Sequence, residues 1–155
     1  MANDPENTLY MDLAHGRVVI EMLPDLAPKH VARIKELARE GFYDGVAFHR
    51  VIDGFMAQGG DPTGTGSGGS GKKIPAEFSA EPHVRGVCSM ARTQDPNSAD
   101  SQFFIVFDDA TFLDRQYSVW GRVVSGMEFV DRIKRGEPVR DPDRIVKMRV
   151  AADAE

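Results

Sequence analysis

The stretch Phe48-His49-Arg50-Val51-Ile52-Asp53-Gly54-Phe55-Met56-Ala57-Gln58-Gly59-Gly60-Asp61 decides the fold of this chain. It joins a β-branched run to a second short apolar run across an Asp-Gly turn signal, the pattern of a β-hairpin. Residues two apart in a strand share a face, so Arg50 lies beside Phe48 and Ile52 on an otherwise apolar side. A guanidinium is rarely buried alone, so this one must meet a partner, a groove or water. A two-residue turn at Asp53-Gly54 would set Arg50 opposite Ala57, whereas a three-residue loop through Phe55 sets it opposite Gln58. Only the second register gathers both polar side chains on one face, and it is the register expected here. The hairpin by itself leaves an edge-strand arginine held by a salt bridge as open as an arginine serving a site.

The flanking sequence supplies more strands. Leu9, Met11 and Leu13 alternate with polar neighbours, His15-Gly16 turns the chain, and Val18, Ile20 and Met22 share the next face, which predicts an opening hairpin. From Pro28 the period changes. Val31, Ile34, Leu37 and Ala38 fall on one helical stripe framed by Pro28 and Gly41, a helix of about 13 residues on which His30 reads as a surface residue. Phe78 reads as an anchor in the loop over residues 75–82. A short strand follows within residues 84–90, then a polar loop over 91–100. Ser101-Gln-Phe-Phe-Ile-Val-Phe107 predicts a strand apolar on both faces, and residues 118–124 another strand. Ser125-Gly-Met-Glu128 has the spacing of a capping box opening a second helix with a Met127, Val130, Ile133 stripe, and Val146, Met148 and Val150 predict a last strand. About eight strands and two helices result, most economically a mainly β protein whose antiparallel sheet closes into a barrel capped by the helices, with no exposed edge. Residues 1–7 read as a loose N-terminal tail, 8–150 as one domain, and 151–155 as an acidic tail.

Composition narrows the function. A chain of 155 residues can bury a sizeable core without a staple, and a net charge of −5 with dispersed Lys and Arg argues against a nucleic-acid partner. A single cysteine, Cys88, reads as a small buried hydrophobe in a reducing compartment. The polar start lacks an apolar leader and no run reaches membrane-spanning length, so the expectation is a cytoplasmic protein without membrane association. The four histidines, His15, His30, His49 and His83, have no metal-ligand spacing, and no Gly-x-Ser-x-Gly elbow occurs. Gly64-x-Gly66-x-x-Gly69 matches a dinucleotide fingerprint, and Gly66 to Lys72 nearly matches a P-loop. Lys73 replaces the needed hydroxyl, and Ile74-Pro75 opposes the helix both motifs require, so a surface loop is the better reading. What remains is the hairpin together with Ser101-Gln102-Phe103-Phe104 and Phe112-Leu113-Asp114, where large apolar residues cluster with Arg or Gln. Together they suit a shallow apolar pocket with one fixed positive charge, open to an extended peptide.

Those three segments closely resemble the cyclophilin family of peptidyl-prolyl cis–trans isomerases, over about residues 8–150. The resemblance implies an eight-stranded antiparallel barrel capped by two helices, without a cofactor, acting on proline-containing peptides and folding proteins as a chaperone-like rotamase. Arg50 matches the family's catalytic arginine. Phe55, Met56, Phe104 and Leu113 match the proline pocket, Gln58 the contact to the substrate backbone, and Gln102 stands in the same substrate-binding set. Ala91 and Arg92 fall where the family holds the peptide with Ala-Asn, and Tyr117 where many members have histidine. Phe112 stands where some members have the tryptophan associated with tight cyclosporin binding, so cyclosporin is expected to bind with reduced affinity. The compact chain resembles short single-domain bacterial members, with a monomer as the expected state.

Overall fold

A computed structural model describes residues 5–62, 69–92, 95, 97–136, 139 and 142–153. Its strands are β1 (Thr8–Leu13), β2 (Gly16–Met22), β3 (Arg50–Ile52), β4 (Met56–Gly59), β5 (Val87–Met90), β6 (Phe103–Val106), β7 (Val119–Ser125) and β8 (Lys147–Val150), with helices α1 (Pro28–Arg39) and α2 (Met127–Val130). All pair antiparallel in one eight-stranded sheet of order β3-β4-β6-β5-β7-β2-β1-β8.

The sheet curls into a half-barrel and does not close, because β3 and β8 end it without pairing to each other. Both edges are satisfied by irregular chain instead. Val51 and Gly136 exchange their N–H and C=O groups, both at 2.8 Å, and Ala47 bridges Arg144. Beyond β8, Gly45 donates to the Ile145 carbonyl at 2.6 Å and the Met148 N–H donates to Asp44 Oδ1 at 3.0 Å. An edge needs its hydrogen-bonding groups covered, and a third partner segment does this as well as a strand.

The core lies between the concave face of the sheet and α1, whose Val31, Ile34, Leu37 and Ala38 are buried as the stripe predicts. Phe103 is fully buried and meets Tyr43, Phe48 and Trp120 edge-on with ring centroids 5.5, 6.2 and 5.9 Å away. Each such pair adds about 0.5–1.5 kcal/mol beyond its burial. Cys88 is a free, buried thiol in this core, as the sequence implies, and burial pushes its pKa up.

Several expectations need correction. His30 is not a surface residue but fully buried, because the first turn of α1 lacks a capping side chain of its own. Glu77 from a distant loop supplies the acceptor: its carboxylate takes the N–H of Lys29 at 3.1 Å and of His30 at 2.8 Å, and lies 2.6 Å from His30 Nδ1. The capping box does not form. Ser125 ends β7, and the N-cap is Gly126 at φ 86° with no side-chain bond. An added Cβ there would collide with the Arg17 carbonyl oxygen, so close approach to β2 fixes the glycine and displaces the serine. Consequently α2 is a single turn, and Ile133 is buried by the turn that follows it. Phe78 and Val146 are exposed rather than inward, at 42% and 60%. Of the segments flanking the strands, Pro5–Asn7 and Ala151–Asp153 form 3-10 turns, and Arg39 donates to both Glu6 and Asp153. Among the described residues no helix is long and apolar enough to cross a membrane.

Candidate active site

The hairpin takes the three-residue loop, with Arg50 opposite Gln58, Val51 opposite Ala57 and Ile52 opposite Met56. Gly54, at φ 74°, supplies the left-handed residue this loop needs. The register continues across the sheet, since Gln58 faces Phe104 and Phe104 faces Ser89. Residues paired across strands share a face, so Arg50, Gln58, Phe104 and Ser89 form one row on the convex side of β3, β4, β6 and β5. Two residues along, Ile52, Met56 and Val106 form the next row. Val51, Ala57, Ile105 and Cys88 point the other way, into the main core.

The convex rows are apolar because a second, smaller core sits on them. Met56, Phe104 and Val106 pack there with Val87, Val119 and Leu113. Leu113 comes from the 3-10 turn Thr111–Leu113, which folds over the sheet. Between that turn and the hairpin lies a cavity of about 150 Å³ lined by Arg50, Phe55, Met56, Gln58, Ala91, Arg92, Phe104, Leu113 and Tyr117.

Each residue singled out from the sequence falls in or beside this cavity. Arg50 donates from Nη1 to Gln58 Oε1 at 3.1 Å, and Gln58 Nε2 donates to Gln102 Oε1 at 2.9 Å, so a relay of amides fixes the guanidinium. Gln102 does not line the cavity but orients Gln58 and accepts the Ala91 N–H on its own carbonyl at 3.0 Å. Met56 and Phe104 form the buried floor, and Tyr117 meets Phe104 edge-on at 5.6 Å. Phe112 also lies outside the lining: it is 67% exposed, tilted against Phe55 at a centroid distance of 5.6 Å, and makes an aromatic rim. Arg92 lies over the Tyr117 ring at 4.7 Å and is anchored by bonds of 3.0 and 2.7 Å to the Gln116 carbonyl.

The family model for the cyclophilin type peptidyl-prolyl cis-trans isomerase/CLD domain matches residues 8–151. The chain belongs to this family. It is 56% identical to a probable peptidyl-prolyl cis-trans isomerase of Brucella suis biovar 1, over 98% of this chain and 86% of the relative. It is 42% identical to peptidyl-prolyl cis-trans isomerase B of Bacillus subtilis, over 86% of this chain and 95% of that one. A cyclophilin from Hirschia baltica superposes with a TM-score of 0.89 at 34% identity, covering 97% of this chain and 76% of its own. A Cryptosporidium parvum cyclophilin type isomerase, crystallised in the presence of the dipeptide Ala-Pro, gives a TM-score of 0.85 at 28% identity, over 92% of this chain and 98% of that one. This cyclophilin is therefore an isomerase of peptidyl-prolyl bonds.

Sequence reasoning missed the residues behind the cavity wall. His83 is fully buried, lies 3.1 Å from Asp114 Oδ1 through Nδ1 and 3.0 Å from Ser89 Oγ through Nε2, and stacks on Phe104 at 6.2 Å. A lone histidine between Pro82 and Val84 carries no periodic signal. Ser89, a hydroxyl in the apolar run Val87-Cys88-Ser89-Met90, was the available hint. His49, beside Arg50, is also buried, and neither ring nitrogen finds a hydrogen-bond partner among the described residues. Burial pushes its pKa down, and the Arg50 charge adds to this while Asp61 opposes it. The glycine fingerprint lies largely outside the described residues. At its described end the N–H groups of Ser70 and Gly71 are spent on the Asp100 carboxylate, at 2.8 and 3.0 Å, and no helix follows. Among the described residues no three His, Cys, Asp or Glu groups gather to hold a metal ion.

Proposed function

We propose that the Arg50 cavity is the place where the X–Pro bond is turned, with Arg50 as the catalytic group and the Met56–Phe104–Leu113 walls receiving the proline ring. The observation that carries this reading is the juxtaposition of a fixed guanidinium with a recess of about 150 Å³ lined on its other sides by Phe55, Met56, Phe104 and Leu113. The chemistry follows from the amide. Rotation costs about 18–20 kcal/mol because it breaks resonance between nitrogen and carbonyl. Unaided X–Pro isomerisation takes tens to hundreds of seconds, so a turnover near about 10² s⁻¹ needs roughly 5–6 kcal/mol of transition-state stabilisation.

In the twisted state the nitrogen lone pair is localised and accepts a hydrogen bond that the planar amide accepts poorly. Arg50 donates that bond, worth about 1.5–3 kcal/mol for a charged donor, or roughly 10- to 100-fold in rate. Because it exists only in the transition state it raises kcat. The remainder comes from gripping the proline ring while the preceding carbonyl swings, and from an apolar surround that favours the less polar twisted amide. Gln58, Ala91 and Arg92 restrain the peptide backbone. The Ala-Pro dipeptide used with the structural relative supports proline-containing segments of folding proteins as substrates. Phe112 lacks the indole donor, so cyclosporin binds weakly in this reading.

NMR exchange spectroscopy on a short X–Pro peptide tests it. Substoichiometric protein should broaden the cis and trans proline signals, and the peptide should shift the amides of Phe55, Met56 and Phe104. Exchange without those shifts would put the chemistry elsewhere on the molecule.

A further inference from the structure

We propose that His83 is a positioning residue for the isomerase reaction: through Asp114 it sets the distance between the turn that carries Leu113 and the sheet that carries Phe104. This deepens the reading of the cavity as the proline site and rests on it.

The turn Thr111–Leu113 has little to hold it. It is short, its N-cap Ala110 offers no side-chain bond, and its C-cap is Asp114. Both of its ends are instead tied to one residue. Ala110 donates its N–H to the His83 carbonyl at 2.8 Å. At the other end Asp114 Oδ1 accepts the His83 N–H at 2.7 Å and stands 3.1 Å from His83 Nδ1. The imidazole then reaches the sheet by two routes, stacking at 20° on Phe104 and meeting Ser89 Oγ at 3.0 Å through Nε2. Tyr117, another lining residue, packs edge-on to the same ring at 6.4 Å. One buried side chain therefore joins the opposed walls of the cavity.

The proton positions follow from the partners. A carboxylate only accepts, so Nδ1 carries the hydrogen. In a neutral ring Nε2 is then an acceptor 3.0 Å from the Ser89 hydroxyl, whose single proton is shared between this nitrogen and the Ser118 carbonyl, to which it donates at 3.1 Å. That carbonyl also accepts the Met90 N–H at 3.0 Å. Both nitrogens of this ring therefore have a partner. Burial pushes the His83 pKa down against the pull of Asp114, in keeping with this neutral tautomer.

A wall that grips the proline ring in the ground and transition states alike contributes uniform binding, so loosening it raises KM and leaves kcat nearly alone. The test uses full-length protein on an X–Pro peptide, with folding checked by circular dichroism. His83→Phe keeps the stacked ring and loses the tether, and should raise KM about fivefold with kcat within about twofold. Asp114→Ala, at a more accessible position, should raise KM about tenfold, and the double variant should be no worse than Asp114→Ala. Leu113→Ala distinguishes the role of the cavity from the role of His83. If it leaves KM unchanged, the cavity is not the proline site. If it raises KM while folded His83→Phe does not, the cavity reading stands and the positioning role is overturned. Should His83→Phe fail to fold, nitrogen NMR of the wild-type ring decides. A proton on Nδ1 with Nε2 unprotonated supports the tether, and the opposite tautomer overturns it.

Discussion

Acid should destabilise this protein well before its carboxylates titrate. His30, His49 and His83 are at most 6% exposed, and burial pushes each pKa below the ordinary imidazole value. Glu77, Asp61 and Asp114 pull upward on the three rings in turn, and burial outweighs them. The unfolded chain takes up protons near pH 6.5 that the folded chain refuses, so stability is complete above that pH and is lost as pH falls toward the lower folded values. Each refused proton costs at most about 1.4 kcal/mol per pH unit, so three together cost up to about 4 kcal/mol by pH 5.5. Against a typical stability of about 5–15 kcal/mol this is large, and it corresponds to a fall in Tm of roughly 8–16 °C. Urea unfolding at pH 7.5 and 5.5, followed by tryptophan fluorescence from Trp120, measures it. His49→Asn, which removes the ring with no partner among the described residues, should remove about a third of the loss. Equal stability at the two pH values would show that the rings are protonated in the folded state, and the account of three neutral buried histidines would fail.

Two further outcomes follow from the site. Gln58→Ala removes an acceptor of the Arg50 guanidinium at 3.1 Å; at this half-buried position about 1–2 kcal/mol is lost, a 5- to 30-fold fall in kcat/KM in a protease-coupled assay. Phe112→Trp restores an indole donor at the exposed rim, and an inhibition titration should show cyclosporin binding about tenfold more tightly than to wild type.

The elements that read clearly from sequence were those whose burial has a single period. The stripe Val31, Ile34, Leu37, Ala38 faces one core, and the alternation in β1 and β2 faces the same core, so local pattern and tertiary environment agree. The hairpin register was legible because only one loop length put Arg50 and Gln58 on the same face. Long-range partners were not legible. His30 looked exposed beside Lys29, and only Glu77, far along the chain, shows why it is inside. Gly126 took the cap from Ser125 because β2 runs against it, a contact no local window contains. A barrel drawn from strand count alone closes, whereas here Gly136 and Arg144 occupy the seam. At the site, the cavity-facing side chains lie in motifs that the resemblance covers. The tether behind them, His83 and Asp114, joins residues from separate loops and carries no motif.

The central claim is that Arg50 acts on the twisted bond and not on the resting peptide. Exchange NMR on Arg50→Ala, with peptide affinity measured alongside, tests it most directly. The variant should fold and still bind the X–Pro peptide within a few-fold of wild type while kcat falls by about 10- to 100-fold. A folded Arg50→Ala protein with wild-type turnover, or one whose entire loss lies in peptide affinity, would contradict it.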